Sequence, residues 1–261
     1  QAKTDGFLGN TSIQRQNIEN VTFVNSIEEA NDTKWDVSAQ QDGSIMAWYE
    51  EGDTAPYKIY IGSEFTIFAN MNSSYLFANI GYASTSTATE AITNIELLNV
   101  TGVTNMSYMF NNTGYTAMTK LDLGSKFITN SVLNMIGMFR GTGYKAMKTL
   151  NLGGNFNTSK TTLMSFMFQN CGYTAMTELN LGEKFNTSKV TLMSFMFNNT
   201  GYTAMTDIDI GNNFDTSNVT DMGYMFSDIG HTAMTELRLK NKFNTGKVTN
   251  MNSMFYNAGY T

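Results

Sequence analysis

The chain has 261 residues, a net charge of −6 and 41% hydrophobic residues, enough apolar material to bury a core rather than stay disordered. Its acidic balance, pI ≈ 4.8, argues against a nucleic-acid surface, and no apolar run reaches the roughly eighteen residues of a membrane span. One cysteine (Cys171) and one histidine (His231) exclude an internal disulfide and a Cys/His zinc set, and with no group to orient a nucleophilic pair, no enzyme and no cofactor is expected.

The N-terminal end carries no signal-like apolar stretch, so a trimmed or mature segment is expected. Ile18, Val21 and Phe23 are placed to form a first strand. Trp35-Asp-Val-Ser-Ala and Ser44-Ile-Met-Ala-Trp48 flank Gln41-Asp42-Gly43 as the arms and turn of a β-hairpin. Residues 1–56, up to the single Pro56, are read as an N-terminal capping unit that covers the first apolar edge of a stack. Ile59-Tyr-Ile61-Gly62-Ser-Glu-Phe65 then mimics Leu121-Asp-Leu123-Gly124-Ser-Lys-Phe127, and opens a repeat array over residues 57–261.

The period is 29 residues. Met-Phe recurs at Met109-Phe110, Met138-Phe139, Met167-Phe168, Met196-Phe197, Met225-Phe226 and Met254-Phe255. Leu121/Leu123, Leu150/Leu152, Leu179/Leu181, Ile208/Ile210 and Leu237/Leu239 keep the same step, as do Phe127, Phe156, Phe185, Phe214 and Phe243. Upstream, Phe77 followed by Gly81-Tyr82 matches Phe110 followed by Gly114-Tyr115, but the step is 33, which places four extra residues around Ser84 to Glu90. A fixed period over this length signals a stacked repeat architecture, and 19 methionines fit a template copied along the chain.

Within a unit, Met176, Leu179 and Leu181 follow the L-x-x-L-x-L frame of a leucine-rich repeat, with Leu-x-Leu predicting a short strand that buries one face. Val190, Met193, Met196 and Phe197 fall at i, i+3, i+6 and i+7, the spacing of one helical face, with Thr187 or Ser188 as N-cap and Gly201 just past the C-terminus. The expected fold is an α/β solenoid, a leucine-rich-repeat array with a parallel sheet on one side, short helices on the other and the β-rich cap at its start.

Phe214-Asp-Thr-Ser-Asn-Val-Thr-Asp-Met-Gly-Tyr-Met-Phe226 resembles the signature of the BspA-like leucine-rich-repeat surface proteins of bacteria. Trp35-Asp-Val-Ser-Ala, Asp42-Gly-Ser-Ile-Met-Ala-Trp48, Tyr60-Ile-Gly62 and Ser73-Ser-Tyr-Leu-Phe77 resemble the segment that precedes the repeats in many members. The resemblance covers roughly residues 18–261. It implies an exported protein at the bacterial cell surface, anchored outside this segment, with roles in attachment to host proteins and to other bacteria. The 29-residue unit is a few residues longer than the family's usual one, through its Gly-Tyr-Thr-Ala-Met element.

Several constellations have a plainer reading beside the chemical one. Met193/Met196 and Met222/Met225 have the softness for Cu(I), but they recur at core spacing and read as core filler. Asp207-Ile-Asp209-Ile-Gly211 resembles the start of a calcium loop, yet its equivalents Lys120-Leu-Asp122 and Thr149-Leu-Asn151 are strand residues, so no metal is expected. The ladder Tyr82, Tyr115, Tyr144, Tyr173, Tyr202, His231, Tyr260 reads as packing between units, and the threonines Thr158, Thr187, Thr216 and Thr245 as exposed helix caps. The outward strand positions Lys120, Asp122, Thr149, Asn151, Glu178, Asn180, Asp207, Asp209, Glu236 and Arg238 vary while the core repeats, as a recognition surface would.

The expected function is non-enzymatic adhesion or binding through this face, to a host or bacterial surface protein or glycan; a stalk that presents another domain is the competing reading. An ice-binding solenoid fits less well, because charged residues interrupt the face and no flat Thr-x-Thr array appears. The final unit keeps the internal pattern through Met251, Met254 and Phe255, so further repeats or another domain are expected beyond Thr261, together with end-to-end contacts between copies.

Overall fold

The computed structural model describes residues 6–260; residues 1–5 of the expected capping unit and Thr261 lie outside the described residues. The strands in chain order are β1 (Gly6–Phe7), β2 (Asn10–Gln14), β3 (Ile18–Val24), β4 (Trp35–Asp36), β5 (Met46–Trp48), β6 (Tyr57–Gly62), β7 (Ile67–Phe68), β8 (Ile92–Thr93), β9 (Leu98–Asn99), β10 (Lys120–Asp122), β11 (Thr149–Asn151), β12 (Asp207–Asp209) and β13 (Glu236–Arg238). The largest sheet has the order β4-β5-β6-β3-β8, and the others hold two strands each.

The five-stranded sheet is built around β3, whose Val21 and Phe23 are buried in alternation and whose Ile18 is buried ahead of a register shift between Ile18 and Asn20. It pairs in parallel with β6 on one side and β8 on the other, so the sheet runs on through Tyr57–Gly62 and Ile92–Thr93. β4 and β5 form the expected antiparallel hairpin, with Trp35 opposite Ala47. Asp36 holds its loop: the carboxylate accepts from the Ser38 N–H and hydroxyl and from the Gly43 N–H at 2.6–2.8 Å.

Beyond this sheet the 29-residue units lie in parallel register. Lys120, Leu121 and Asp122 pair with Thr149, Leu150 and Asn151, and Asp207, Ile208 and Asp209 pair with Glu236, Leu237 and Arg238. Asn180 forms only a single bridge to Asn151. A second file of parallel bridges joins Asn72, Asn105, Asn134, Leu163, Leu192, Asp221 and Asn250.

The expected α/β solenoid is overturned, and the leucine-rich-repeat assignment does not carry over. Strand is confined to short pieces in small separate sheets, and the helical turns among the described residues are two 3-10 turns, Arg15–Asn17 and Ile95–Leu97, outside the 29-residue units. The segment predicted as helix is a run of β-turns. Phe195 (φ 59°), Asn199 (φ 57°) and Gly201 (φ 53°) are left-handed, which no α-helix admits. The N–H groups of Met196, Asn198 and Thr200 each close a turn on the carbonyl three residues back. Those of Met193, Phe195, Phe197 and Asn199 cross instead to the carbonyls of Asp221, Gly223, Met225 and Ser227 in the next unit, at 2.9–3.0 Å. The helical spacing did mark the buried side chains: Val190, Met193, Met196 and Phe197 are all fully buried. Successive turns that point alternate residues inward reproduce that spacing without its conformation.

The same turns correct the reading of individual residues. Gly201 is not a helix C-terminus; it is left-handed in every unit's equivalent place, and a Cβ there would lie 2.5 Å from that of Met205. Thr158, Thr187 and Thr216 are fully buried rather than exposed caps, while Thr245 is exposed. Each buried hydroxyl bridges to the next unit. Thr187 Oγ1 donates to the Asp215 carbonyl at 2.8 Å and accepts from the Asp215 N–H at 2.7 Å, and Thr158 treats Asn186 in the same way.

The core is a set of side-chain files along the stack. Phe110, Phe139, Phe168, Phe197 and Phe226 stack with ring centroids 5.4–5.5 Å apart and planes within 7° of parallel. Phe185 and Phe214 lean against them, and the methionines fill the space between. The lone Cys171 is buried at a position where Thr142 and Thr200 occupy the neighbouring units, and burial pushes its thiol well above the usual range.

Substitutions at Phe197, Met196 and Thr187 test this packing. Phe197→Ser is expected to cost about 3–5 kcal/mol in chemical denaturation, with Met196→Asp at least as damaging; an unchanged midpoint for either would place these side chains outside the core. Thr187→Val leaves a buried N–H and carbonyl of Asp215 without their partner and is expected to cost about 2 kcal/mol or more, while Thr187→Ser keeps both bonds and costs less than half as much. A loss from Thr187→Ser as large as that from Thr187→Val would show that the hydroxyl bridge is not the dominant contribution of this side chain.

Candidate functional site: the outward strand face and its clefts

The ten predicted positions are brought together as two adjacent files on one face. Asp207 and Arg238 are half-buried, and the other eight are exposed. The two files do different work. In the inner file Asp122, Asn151, Asn180 and Asp209 each accept the N–H of the glycine two residues on, at 2.8–3.0 Å, closing the tight turn at Gly124, Gly153, Gly182 and Gly211. Asn/Asp is therefore a requirement of the turn in these four units; the fifth member of the file, Arg238, has no oxygen to accept and has Lys240 instead of glycine two residues on. The outer file Lys120, Thr149, Glu178, Asp207, Glu236 has no such duty, and it is where the units differ most in charge.

Ion pairs run along the face. Lys120 Nζ meets Glu90 at 2.8 Å, Arg238 meets Glu236 at 2.7 Å and Asp207 at 3.3 Å, and Lys240 meets Asp209 at 2.6 Å. The Lys240 ammonium and the Gly211 N–H hold the Asp209 carboxyl below the usual carboxylate range. Glu178 makes no ion pair among the described residues. Five carboxylates against two cations over the ten positions leave the face acidic.

At its first unit the face opens into two shallow clefts that meet at Glu90. One, about 280 Å³, is lined by residues 92–96 with Glu90, Lys120, Asp122 and Gly124. The other, about 340 Å³, is lined by Glu19, Asn20, Lys58 and residues 87–90. Asn20 ties the two together by donating to the Glu90 carbonyl at 2.6 Å and to Thr93 Oγ1 at 3.0 Å. The four residues in excess of the repeat, around Ser84 to Glu90, supply one wall of the larger cleft. Glu19, Lys58, Thr87 and Glu96 did not appear among the sequence-predicted positions; the interruption of the 29-residue step was the signal that pointed to this place.

Glu19 is buried in the cleft wall. Burial alone would raise its pKa, but the Thr87 N–H at 2.6 Å, the Thr87 hydroxyl at 2.9 Å, the Ala88 N–H and the charge of Lys58 outweigh this and hold it below the ordinary value. A carboxylate with a depressed folded pKa stabilises the fold above its unfolded pKa, and that contribution is lost as pH falls through the folded value. Glu19→Gln is therefore expected to flatten the loss of stability from about pH 5 downward, while lowering stability at neutral pH. A parallel pair of stability–pH curves for parent and variant would show that Glu19 contributes nothing to the acid response.

The other predicted features fall to packing. Tyr115, Tyr144, Tyr173, Tyr202 and His231 are half-buried and stacked at 4.6–4.7 Å, ring face on ring face, so only their edges meet solvent. Met193, Met196, Met222 and Met225 are fully buried. Among the described residues no three His, Cys, Asp or Glu side chains converge as a metal site, and no helix is long and apolar enough to cross a membrane.

No curated protein and no solved structure matches the chain. Residues 78–180 and 172–260 match the family described as "Mycoplasma protein of unknown function, DUF285". The two matches run together over the stacked units that carry the whole outward strand face, and the chain belongs to the DUF285 family.

Proposed function

We propose that this protein is a non-enzymatic binding module of the bacterial cell surface that recognises a protein or glycan through the outward strand face. The observation that carries the reading is the division of labour between the two files. The inner file is fixed by its turns in four units and departs only at Arg238, whereas the outer file varies from Lys120 through Thr149, Glu178 and Asp207 to Glu236 on a nearly constant core. The clefts at Glu90 and Lys120 add concave relief at one end of that file. The resemblance to BspA-like surface proteins supports an extracellular, adhesive setting. The surplus of carboxylates favours a partner with basic side chains, bound more weakly as salt rises.

An array of extracellular-matrix proteins and glycans probed with the purified chain tests the proposal. Against any partner so found, Glu178→Lys with Asp207→Lys is expected to weaken binding about tenfold or more, equivalent to about 1.4 kcal/mol, with an unchanged fold. These two positions are preferred to Asp209, whose carboxylate also closes the Gly211 turn. A partner whose affinity is indifferent to the pair moves recognition off this face, and an array without any partner favours a stalk.

A further inference from the structure

A second charged surface lies away from the strand face, at the corner just after each strand. Residues 125–131, 154–160, 183–189, 212–218 and 241–247 hold six of the chain's 16 Lys and Arg, but only two of its 22 Asp and Glu, namely Glu183 and Asp215. A protein with net charge −6 thus gathers positive charge at one edge. All six lysines (Lys126, Lys160, Lys184, Lys189, Lys242 and Lys247) are exposed, and none forms an ion pair among the described residues.

The lysines form two files along the stack. Lys126, Asn155, Lys184, Asn213 and Lys242 occupy one repeat position, and Ser131, Lys160, Lys189, Asn218 and Lys247 the other. The intervening asparagines are tied down: Asn155 donates to the Ser125 carbonyl and Asn213 to that of Glu183, both at 2.8 Å, while Asn218 donates to that of Ser188 at 2.8 Å. Two of them also receive a lysine from the next unit, Lys184 on Asn155 at 2.5 Å and Lys247 on Asn218 at 2.6 Å. With units about 4.8 Å apart, the lysines of the first file spread positive charge over about 19 Å along the stack. Like charges held in register cost free energy unless an anion offsets them.

We propose that this corner binds a linear sulfated polysaccharide laid along the stacking direction. The residue types favour it over the other polyanions. Bidentate phosphate recognition and base stacking call for arginine and open aromatic faces. The corner has no arginine, and its aromatics are the buried Phe127, Phe156, Phe185 and Phe214 and the half-buried Phe243. No large exposed apolar side chain lies in these segments to enter a lipid surface. Lysine as a mobile point charge, beside the serine hydroxyls of Ser159 and Ser188, suits sulfate groups spaced along a sugar chain. The proposal is independent of recognition by the strand face.

Calorimetry of the full 261-residue chain with a heparin oligosaccharide tests it, using desulfated heparin, single-stranded DNA of matched charge and anionic phosphatidylserine vesicles for comparison. Heparin is expected to bind at low salt with an affinity that falls steeply as salt rises. Replacing Lys160, Lys189 and Lys247 with Gln should weaken binding about tenfold or more, and adding the same change at Lys126, Lys184 and Lys242 should abolish it, with circular dichroism unchanged. Lys34, Lys145 and Lys148 replaced by Gln serve as the charge-matched control and should leave it intact. Equal losses from the control, equal binding of the desulfated chain, tighter binding of DNA or vesicles, or no heparin binding by the folded parent would each overturn the proposal.

Discussion

The structure depends on how each unit disposes of its backbone hydrogen bonds. In the segment from Phe195 to Thr200 the N–H groups alternate, those of Met196, Asn198 and Thr200 closing a turn within the unit and those of Phe195, Phe197 and Asn199 crossing to the next. Neither half of this pattern is optional. Buried N–H groups must be paired, and a segment that turns so tightly has no local carbonyl for half of them. The neighbouring unit supplies the rest. A single unit therefore cannot complete its own backbone, and cooperativity between neighbours is built into the main chain before any side chain is considered.

The turns carry a conformational cost. Left-handed backbone at a residue other than glycine costs about 1 kcal/mol or more, and aromatic residues such as Phe195 and Tyr224 are unusual there. Two gains offset it. The ring of Phe195 stacks on Phe166 at 5.0 Å and on Tyr224 at 4.7 Å, and the turn it occupies aligns the crossing N–H groups. Where the file lacks a ring, at Gly137, the Tyr108 ring leans over the backbone, and a Cβ there would lie 2.3 Å from it. The same register that stacks main chains also stacks phenylalanines, tyrosines and threonine hydroxyls, so each file is a by-product of one translation.

That translation governs the surface as well. Any residue type repeated at one position becomes a straight file, so composition at a single position sets the charge of a whole edge. The strand face gains an acidic surplus and the adjoining corner a basic one from a handful of positions, though the chain as a whole is only moderately acidic. Relief, by contrast, arises where the period breaks. The residues in excess between Ser84 and Glu90 supply one wall of the cleft around Glu19 and Asn20.

The amino-acid sequence alone determined the period, the buried residues and the register. The 29-residue step identified which side chains pack on which, from the Phe110–Phe226 file to the tyrosine ladder, because a fixed period leaves parallel stacking as the way to bury the same positions repeatedly. It placed the strands near Leu121, Leu150, Ile208 and Leu237 and the hairpin at Trp35–Trp48. Only the tertiary structure decided the conformation between them. The spacing of Val190, Met193, Met196 and Phe197 is shared by a helix and by a chain of β-turns, and the choice turns on inter-unit hydrogen bonds that leave no periodic mark. The same holds for Thr187, whose cap-like position conceals a buried bridge, and for Asp209, which faces solvent yet closes a turn. Glu19 joins Thr87 across 68 residues, a pairing that no local pattern specifies, because the side chains meet only once the first sheet and the interrupted repeat have docked.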